Sequence, residues 1–337
     1  MTIETVEQLY QSSAIALSLR EFLRPASGDV VFPPTYAPAS KNDKSGYNIS
    51  PTRNGNLCTI DSIGSQANRM EPIFMEASYC DLVPQITVKA GEFFSVNLLK
   101  MGHRLADAAI RFSNLRDPIT EAFLAYRQHG DATGIAKIGP TSLIFGVWDS
   151  RETHTKISRL LNSTIRAFNV DELTRSALYT PTFEYSDIGF AEGERENAAE
   201  IGLAHVPSTN THGGVIVNGS IVRQTELNLN ALRMAGGTGT EGTERLQRYI
   251  LGLAQIAMLA PRTHDLRQGC LLAPDPDQPA TLRAVLRDGH AEELALPFAV
   301  VKDFAKAAAE AFGVGEPREG VFNSDSAKAA AKKANKK

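Results

Sequence analysis

A chain of 337 residues, 42% hydrophobic and 22% charged, has the make-up of an ordinary soluble protein with room for a large core. Its formal net charge of −3 excludes a generic polycation that coats nucleic acid, so any nucleic-acid site must be a local stripe. Three cysteines (Cys58, Cys80 and Cys270) with no C-x-x-C pair exclude a disulfide framework and a zinc ribbon.

In chain order, MTIETVEQLYQSS lacks the basic start and apolar centre of a signal peptide, and no apolar run reaches transmembrane length. A cytoplasmic protein is the expectation. The stretch AIALSLREFL satisfies either a helix or a strand, and Pro25 ends it. Residues 39–56, ASKNDKSGYNISPTRNGN, read as a long polar loop. A strand over Leu57–Ile60 then leads into DSIGSQANRMEPIF. There Ser62, Ser65, Gln66 and Arg69 recur at helical spacing, apart from an apolar stripe of Ile63, Ala67, Met70 and Phe74. A polar face crowded near a helix N-terminus suits an anion, because free N–H groups and the dipole point at it. An amphipathic helix facing water explains the same spacing.

Two further helical patterns follow. MGHRLADAAIRF opens with His103 and Arg104, and DPITEAFLAYRQHG is amphipathic throughout. TSLIFGVWDS reads as a buried strand ending at the sole tryptophan, Trp148. In WDSRETHTKISRLLNSTIRAF a helix would align Lys156, Arg159, Ser163 and Arg166; a strand from Asn162 onward would instead put Thr164 and Arg166 on one face. Either way, cations and small hydroxyls share an edge suited to phosphate oxygens. GGVIVNGSIVRQTEL predicts a hairpin over about residues 213–226, turning at Asn218-Gly219. Gly237, Gly239 and Gly242 satisfy G-x-G-x-x-G ahead of an apolar helix over 243–259. Asp265, near the distance expected of a ribose-binding acid, falls beyond a helix and Pro261 rather than at the end of a second strand, and no G-K-[ST] follows, so a flexible or anion-cradling loop is the reading. The end of the chain carries Lys328, Lys332, Lys333, Lys336 and Lys337. Its low complexity predicts a disordered tail over 323–337 beyond a single domain of 1–322.

Strands alternating with helices and long insertions point to an α+β fold. No catalytic set is visible: there is no G-x-S-x-G, no H-E-x-x-H, and none of the seven histidines has metal-ligand spacing. No cofactor and no metal is expected. Asp61 and Asp149 each end an apolar run, as helix caps, as turn residues, or as acids.

Four blocks in this order, IDSIGSQANRMEP, HRLADA, FGVWDSR and KISRLLNSTIRA, resemble the CRISPR-associated RAMP backbone subunit of type I-G (formerly I-U) systems. RQTELNLNALR and LRQGCLL add to the likeness, which spans about Arg20 to Leu272. The resemblance implies an RRM-like (ferredoxin-like) palm with an inserted helical finger and a β-hairpin thumb. It implies a subunit that polymerises along guide RNA, in a helical filament of its own copies, as the backbone of a Cascade surveillance complex. Target DNA would be met through the guide, and the other Cascade subunits, including the repeat-processing and large subunits, would be partners; no membrane is implied. By that likeness Ser65, Gln66, Asn68 and Arg69 contact the guide, followed by His103, Arg104, Arg151, Lys156, Arg159 and Arg166, with Arg223 at the base of a candidate thumb. Such subunits are not nucleases. A related RAMP subunit cleaving RNA through Asp61 or Asp149, and a nucleotide enzyme using the 237–242 loop, are the alternatives.

Overall fold

The computed structural model describes residues 3–38 and 46–334. After helix α1 (Ile3–Gln11), the ambiguous AIALSLREFL is the centre of a twelve-residue strand, β1 (Ala14–Pro25). Of the long loop expected at 39–56, residues 39–45 lie outside the described part. The rest is not a loop: β2 (Ile49–Thr52) and β3 (Gly55–Asp61) pair as a hairpin. The polar composition hid it because β2 is the edge strand, where one side of the ladder meets water, and β3 is polar and exposed over its first half. Helix α2 (Ile63–Met70) follows, then α3 (Arg116–His129). TSLIF, expected as a strand, is the short helix α4 (Thr141–Phe145). Only β4 (Val147–Trp148) is extended, and it pairs with β5 (Lys156–Ile157). A fully buried apolar run looks the same in helix and strand, which is why TSLIF misled.

The remaining palm strands are β6 (Leu161–Phe168), β9 (Ile221–Asn228), β10 (His264–Arg267), β11 (Cys270–Pro274) and β12 (Thr281–Leu286). Between β6 and β9 run β7 (Val170–Tyr179) and β8 (Val206–Val217). Helix α5 (Gly239–Leu259) follows β9, and α6 (Phe298–Phe312) and α7 (Ser324–Ala334) complete the chain. The core ladder runs β12–β1–β9–β6, antiparallel throughout, with α2 before β6 and α5 after β9. That is the split β-α-β order of a ferredoxin-like palm. The fold is therefore α+β, extended at its edges by β2, β3, β10 and β11.

The 213–226 hairpin does not form. β8 pairs with β7, and β9 pairs with β1 and β6, so the two strands belong to different sheets. The N–H groups of Asn218 and Gly219 donate to Asn169 O (2.9 Å) and Phe168 O (3.1 Å). A Cβ on Gly219 would lie 2.5 Å from Phe168 O, so glycine is required here for close approach rather than for a type I′ turn. The real ribbon is β7–β8, which leaves the palm at Asn169 and carries exposed Leu178, Tyr179, Phe183 and Ile201 toward its far end. The lysine-rich end also departs from expectation. Residues Ser324–Ala334 are helical, consistent with their alanine content, while 335–337 lie outside the described part.

Alternation along the palm strands builds two cores with a polar layer between them. Leu17 and Leu19 of β1, Leu161 of β6 and Leu227 of β9 join the helices in a large core. Leu23, Ile165, Ala167 and Ile221 form a smaller core with Cys58, Ile60, Leu266 and Leu272 inside the curled end of the sheet. On the same faces, between the two, stand Glu21, Ser163, Arg223 and Thr225.

Candidate nucleic-acid interface

The polar face of α2 closes on a carboxylate of the protein itself. Asp61, fully buried, accepts from Ser65 Oγ (2.7 Å), Gln66 Nε2 (2.7 Å), Arg69 Nε (3.1 Å) and Arg267 Nη2 (3.2 Å). Ser62 caps the helix through Ser65 N–H, and Arg69 also reaches Leu266 O at 2.6 Å. An anion does sit at this end, as the spacing predicts, but it is internal. Gln66 then turns its oxygen to Ser163 Oγ (3.0 Å) and Arg223 Nε (3.3 Å). Arg223, buried, is ion-paired with Glu21. Gln66 and Arg223 are thus members of the polar layer, out of reach of RNA, and that corrects their expected roles. Arg223 lies on the inner face of β9, not at the base of a thumb. Asp61 as a catalytic acid is corrected too, since both its oxygens are taken by donors.

Arg104 is a further correction. It is buried with Nε 2.8 Å from Glu71, a guanidinium N–H directed to Gly146 O (3.3 Å), and its charge over the Phe145 ring. Its backbone lies in the left-handed region (φ +51°), which for a non-glycine residue costs about 1 kcal/mol. Neighbouring His103 is exposed, and exposed Asn68 accepts from Arg104 at 3.4 Å. Burial pushes the Glu71 carboxyl up to about 7 against the attraction of Arg104, while burial, reinforced by Arg223, holds buried His264 down at about 4. These two groups oppose each other. Between pH 4.5 and 7 folded Glu71 keeps a proton that the unfolded chain releases, so its contribution to stability falls as pH rises. Between pH 6.5 and 4 the unfolded chain binds a proton that folded His264 refuses, so stability falls as pH drops. Each effect is on the order of 2–3 kcal/mol. In denaturant titrations Glu71→Gln should lose more stability than the wild type on acidification from pH 6.5 to 4.5, because it keeps the His264 effect without the opposing one from Glu71. Parallel profiles for the two proteins would contradict the assignment.

The W-D-S-R block is a fixed turn. Asp149 accepts backbone N–H groups of Thr153 (2.7 Å), Glu152 (3.2 Å) and Arg151 (3.4 Å), plus the Thr153 hydroxyl (2.7 Å). Burial raises its pKa, but the bonds from Thr153 and its neighbours outweigh that and hold the carboxyl below its ordinary range. Asp149 is a turn residue, not a free acid. We expect Asp149→Ala to cost about 2–3 kcal/mol in urea denaturation, because four donors lose one acceptor. Arg151, Lys156 and Arg159 are exposed around this turn. Gly146, at φ +76° and with a Cβ position 3.0 Å from Ile157 O, admits no side chain there.

The outer face of the palm carries what the sequence reading missed. Arg166 of β6 sits in a row with Val222 of β9 and Phe22 of β1, and the next rows hold Arg20, Gln224 and Thr164, then Arg283, Ser18, Glu226 and Asn162. Arg20, Arg166, Arg283, Gln224 and Glu226 are exposed. The Arg20 guanidinium lies 4.8 Å from the Phe22 ring centroid, and Gln224 Nε2 donates to Ser18 Oγ at 2.9 Å. Three arginines against two glutamates, Glu226 and the Glu293 that pairs with Arg283, with a half-buried aromatic ring, leave a net cationic and stackable surface. Arg20 and Phe22 at i and i+2 carried the signal, but only once AIALSLREFL was known to be a strand.

The glycine-rich loop is held by its own contacts. The Thr243 hydroxyl bonds to Gly237 O and Gly239 O, and the Thr238 hydroxyl donates to Asp131 at 3.2 Å. An acid bonded to the loop disfavours a nucleotide phosphate there. Among the described residues no group of three or more His, Cys, Asp or Glu side chains is placed to hold a metal, and no helix is long and apolar enough to cross a membrane.

Residues 17–172, less than half of the chain, match the model of a family described as CRISPR-associated protein GSU0053 (Cas_GSU0053). The matched stretch runs from β1 through α2 and the W-D-S-R turn to the start of β7, so it contains four strands of the palm sheet, β1, β2, β3 and β6. This likeness supports a CRISPR-associated role. No curated protein matches the chain.

Proposed function

We propose that this protein is a non-catalytic guide-RNA-binding subunit that polymerises along CRISPR RNA as the backbone of a type I-G Cascade complex. The observation that carries the reading is the uncovered palm face, where Arg20, Arg166 and Arg283 stand out from three strands beside Phe22. Arginines at this spacing, on strands about 4.8 Å apart, suit successive phosphates of one strand, while the ring gives a base something to stack on. The family likeness over 17–172 supports the CRISPR setting. Arg69, Asn68, His103, Arg151, Lys156 and Arg159 are exposed and stay as candidates for guide contact. The β7–β8 ribbon replaces the 213–226 segment as the thumb, its exposed apolar residues suited to contact with the next copy. Sequence would be read by base pairing with target DNA, so the protein grips backbone and shape.

Protein purified from cells expressing its neighbouring genes should carry RNA of defined length, seen as a raised A260/A280 ratio. Binding to single-stranded RNA should weaken linearly on a log–log plot against salt. Nucleic-acid-free protein that binds no single-stranded RNA even at low salt would sink the reading. Magnesium-dependent cleavage of that RNA by the purified protein would replace it with a nuclease.

A further inference from the structure

Trp148 is the sole tryptophan, and 62% of its surface is exposed. An indole is the costliest side chain to leave in water, and here nothing about its backbone is loose. It lies in β4, paired directly with Lys156 of β5, and the next residue is Asp149, which ties the turn with four hydrogen bonds. The turn is anchored from below as well: Arg127 donates to Thr153 O at 2.6 Å and Thr155 Oγ1 to Phe123 O at 3.3 Å. Lys156 Nζ stands 5.8 Å from the centre of the indole. Arg159 packs beside Gly146, two residues before Trp148. The half-buried acid of the turn, Glu152, is already taken by Arg116 at 2.7 Å.

From this arrangement we infer that Trp148 is a stacking platform for one unpaired base of single-stranded RNA, with Lys156 and Arg159 on the flanking phosphates. The inference rests on the proposed RNA-binding function and adds to it a site separate from the palm face. A rigid ring loses little freedom on binding, and base–aromatic stacking tolerates any base, as a guide-holding subunit requires. The Lys156 cation stands at the ring, and Arg151 and Arg159 are exposed on the same turn, which favours a polyanion over a second protein surface.

Because there is one tryptophan, its emission reports this site alone. Titrating the full chain with a fluorescein-labelled uridine 12-mer should quench tryptophan emission in step with the rise in RNA anisotropy. Trp148→Ala should weaken affinity about 5- to 100-fold with the thermal midpoint unchanged, and Trp148→Phe should restore most of it. Anisotropy that rises while emission and the Trp148→Ala affinity stay unchanged would overturn the inference and leave RNA binding intact. Emission that shifts to the blue with protein concentration alone would assign the indole to a second copy and also overturn it. No rise in anisotropy at low salt would remove the RNA-binding function itself.

Discussion

Asp61→Ala should destabilise the protein by about 3–5 kcal/mol, the largest single effect expected in this molecule. The side chain is fully buried and accepts from Ser65, Gln66, Arg69 and Arg267. Removing it leaves two guanidinium groups without their carboxylate and frees Gln66, which also supports Arg223. Because the polar layer lies between the two cores, the loss should spread to both of them. Urea denaturation followed by far-UV circular dichroism measures it. A loss under about 1 kcal/mol would mean that the network is not what holds α2 to the palm. Asp61→Asn keeps the shape and two lone pairs, so it should cost less than Asp61→Ala.

Replacing Arg20, Arg166 and Arg283 together by Gln should have the largest effect on function and almost none on folding. All three are exposed, and surface changes of this kind usually alter stability by less than about 0.5 kcal/mol. Each charge-assisted hydrogen bond to a phosphate contributes on the order of 1.5–3 kcal/mol, so affinity for single-stranded RNA should fall roughly 100-fold or more. The salt slope should drop by about 2, at roughly 0.7 for each phosphate of a single strand that is no longer neutralised. Fluorescence anisotropy over a range of salt concentrations reads both. An unchanged slope would move the RNA elsewhere on the protein.

How much of this was legible beforehand depended on the kind of signal. The helix of α5 announced itself through a long apolar pattern, and DPITEAFLAYRQHG through its period. The four residues of the α2 face were also visible as a set with a common purpose. What spacing could not tell was that the anion they gather around is Asp61, one residue before the helix cap, reached also by Arg267 from more than 200 positions away. Burial of Arg104 and Arg223 was hidden for the same reason. A charged residue looks exposed until its partner, Glu71 or Glu21, is brought to it by the fold. The failed hairpin at Asn218-Gly219 shows the converse. Local turn chemistry was present, but β8 and β9 found better partners in β7 and β1, and tertiary pairing overrode the local preference. The palm face was missed because alternation in β1 could be read two ways until β9 and β12 were seen on either side of it.

Photo-crosslinking tests the central claim most directly. The purified protein would be bound to single-stranded RNA containing 4-thiouridine, irradiated, digested and mapped by mass spectrometry. Crosslinked peptides are predicted from β1 around Arg20 and Phe22 and from β6 around Arg166, with a further peptide containing Trp148. Crosslinks confined to the lysine-rich helix Ser324–Ala334, with none on the palm, would contradict it.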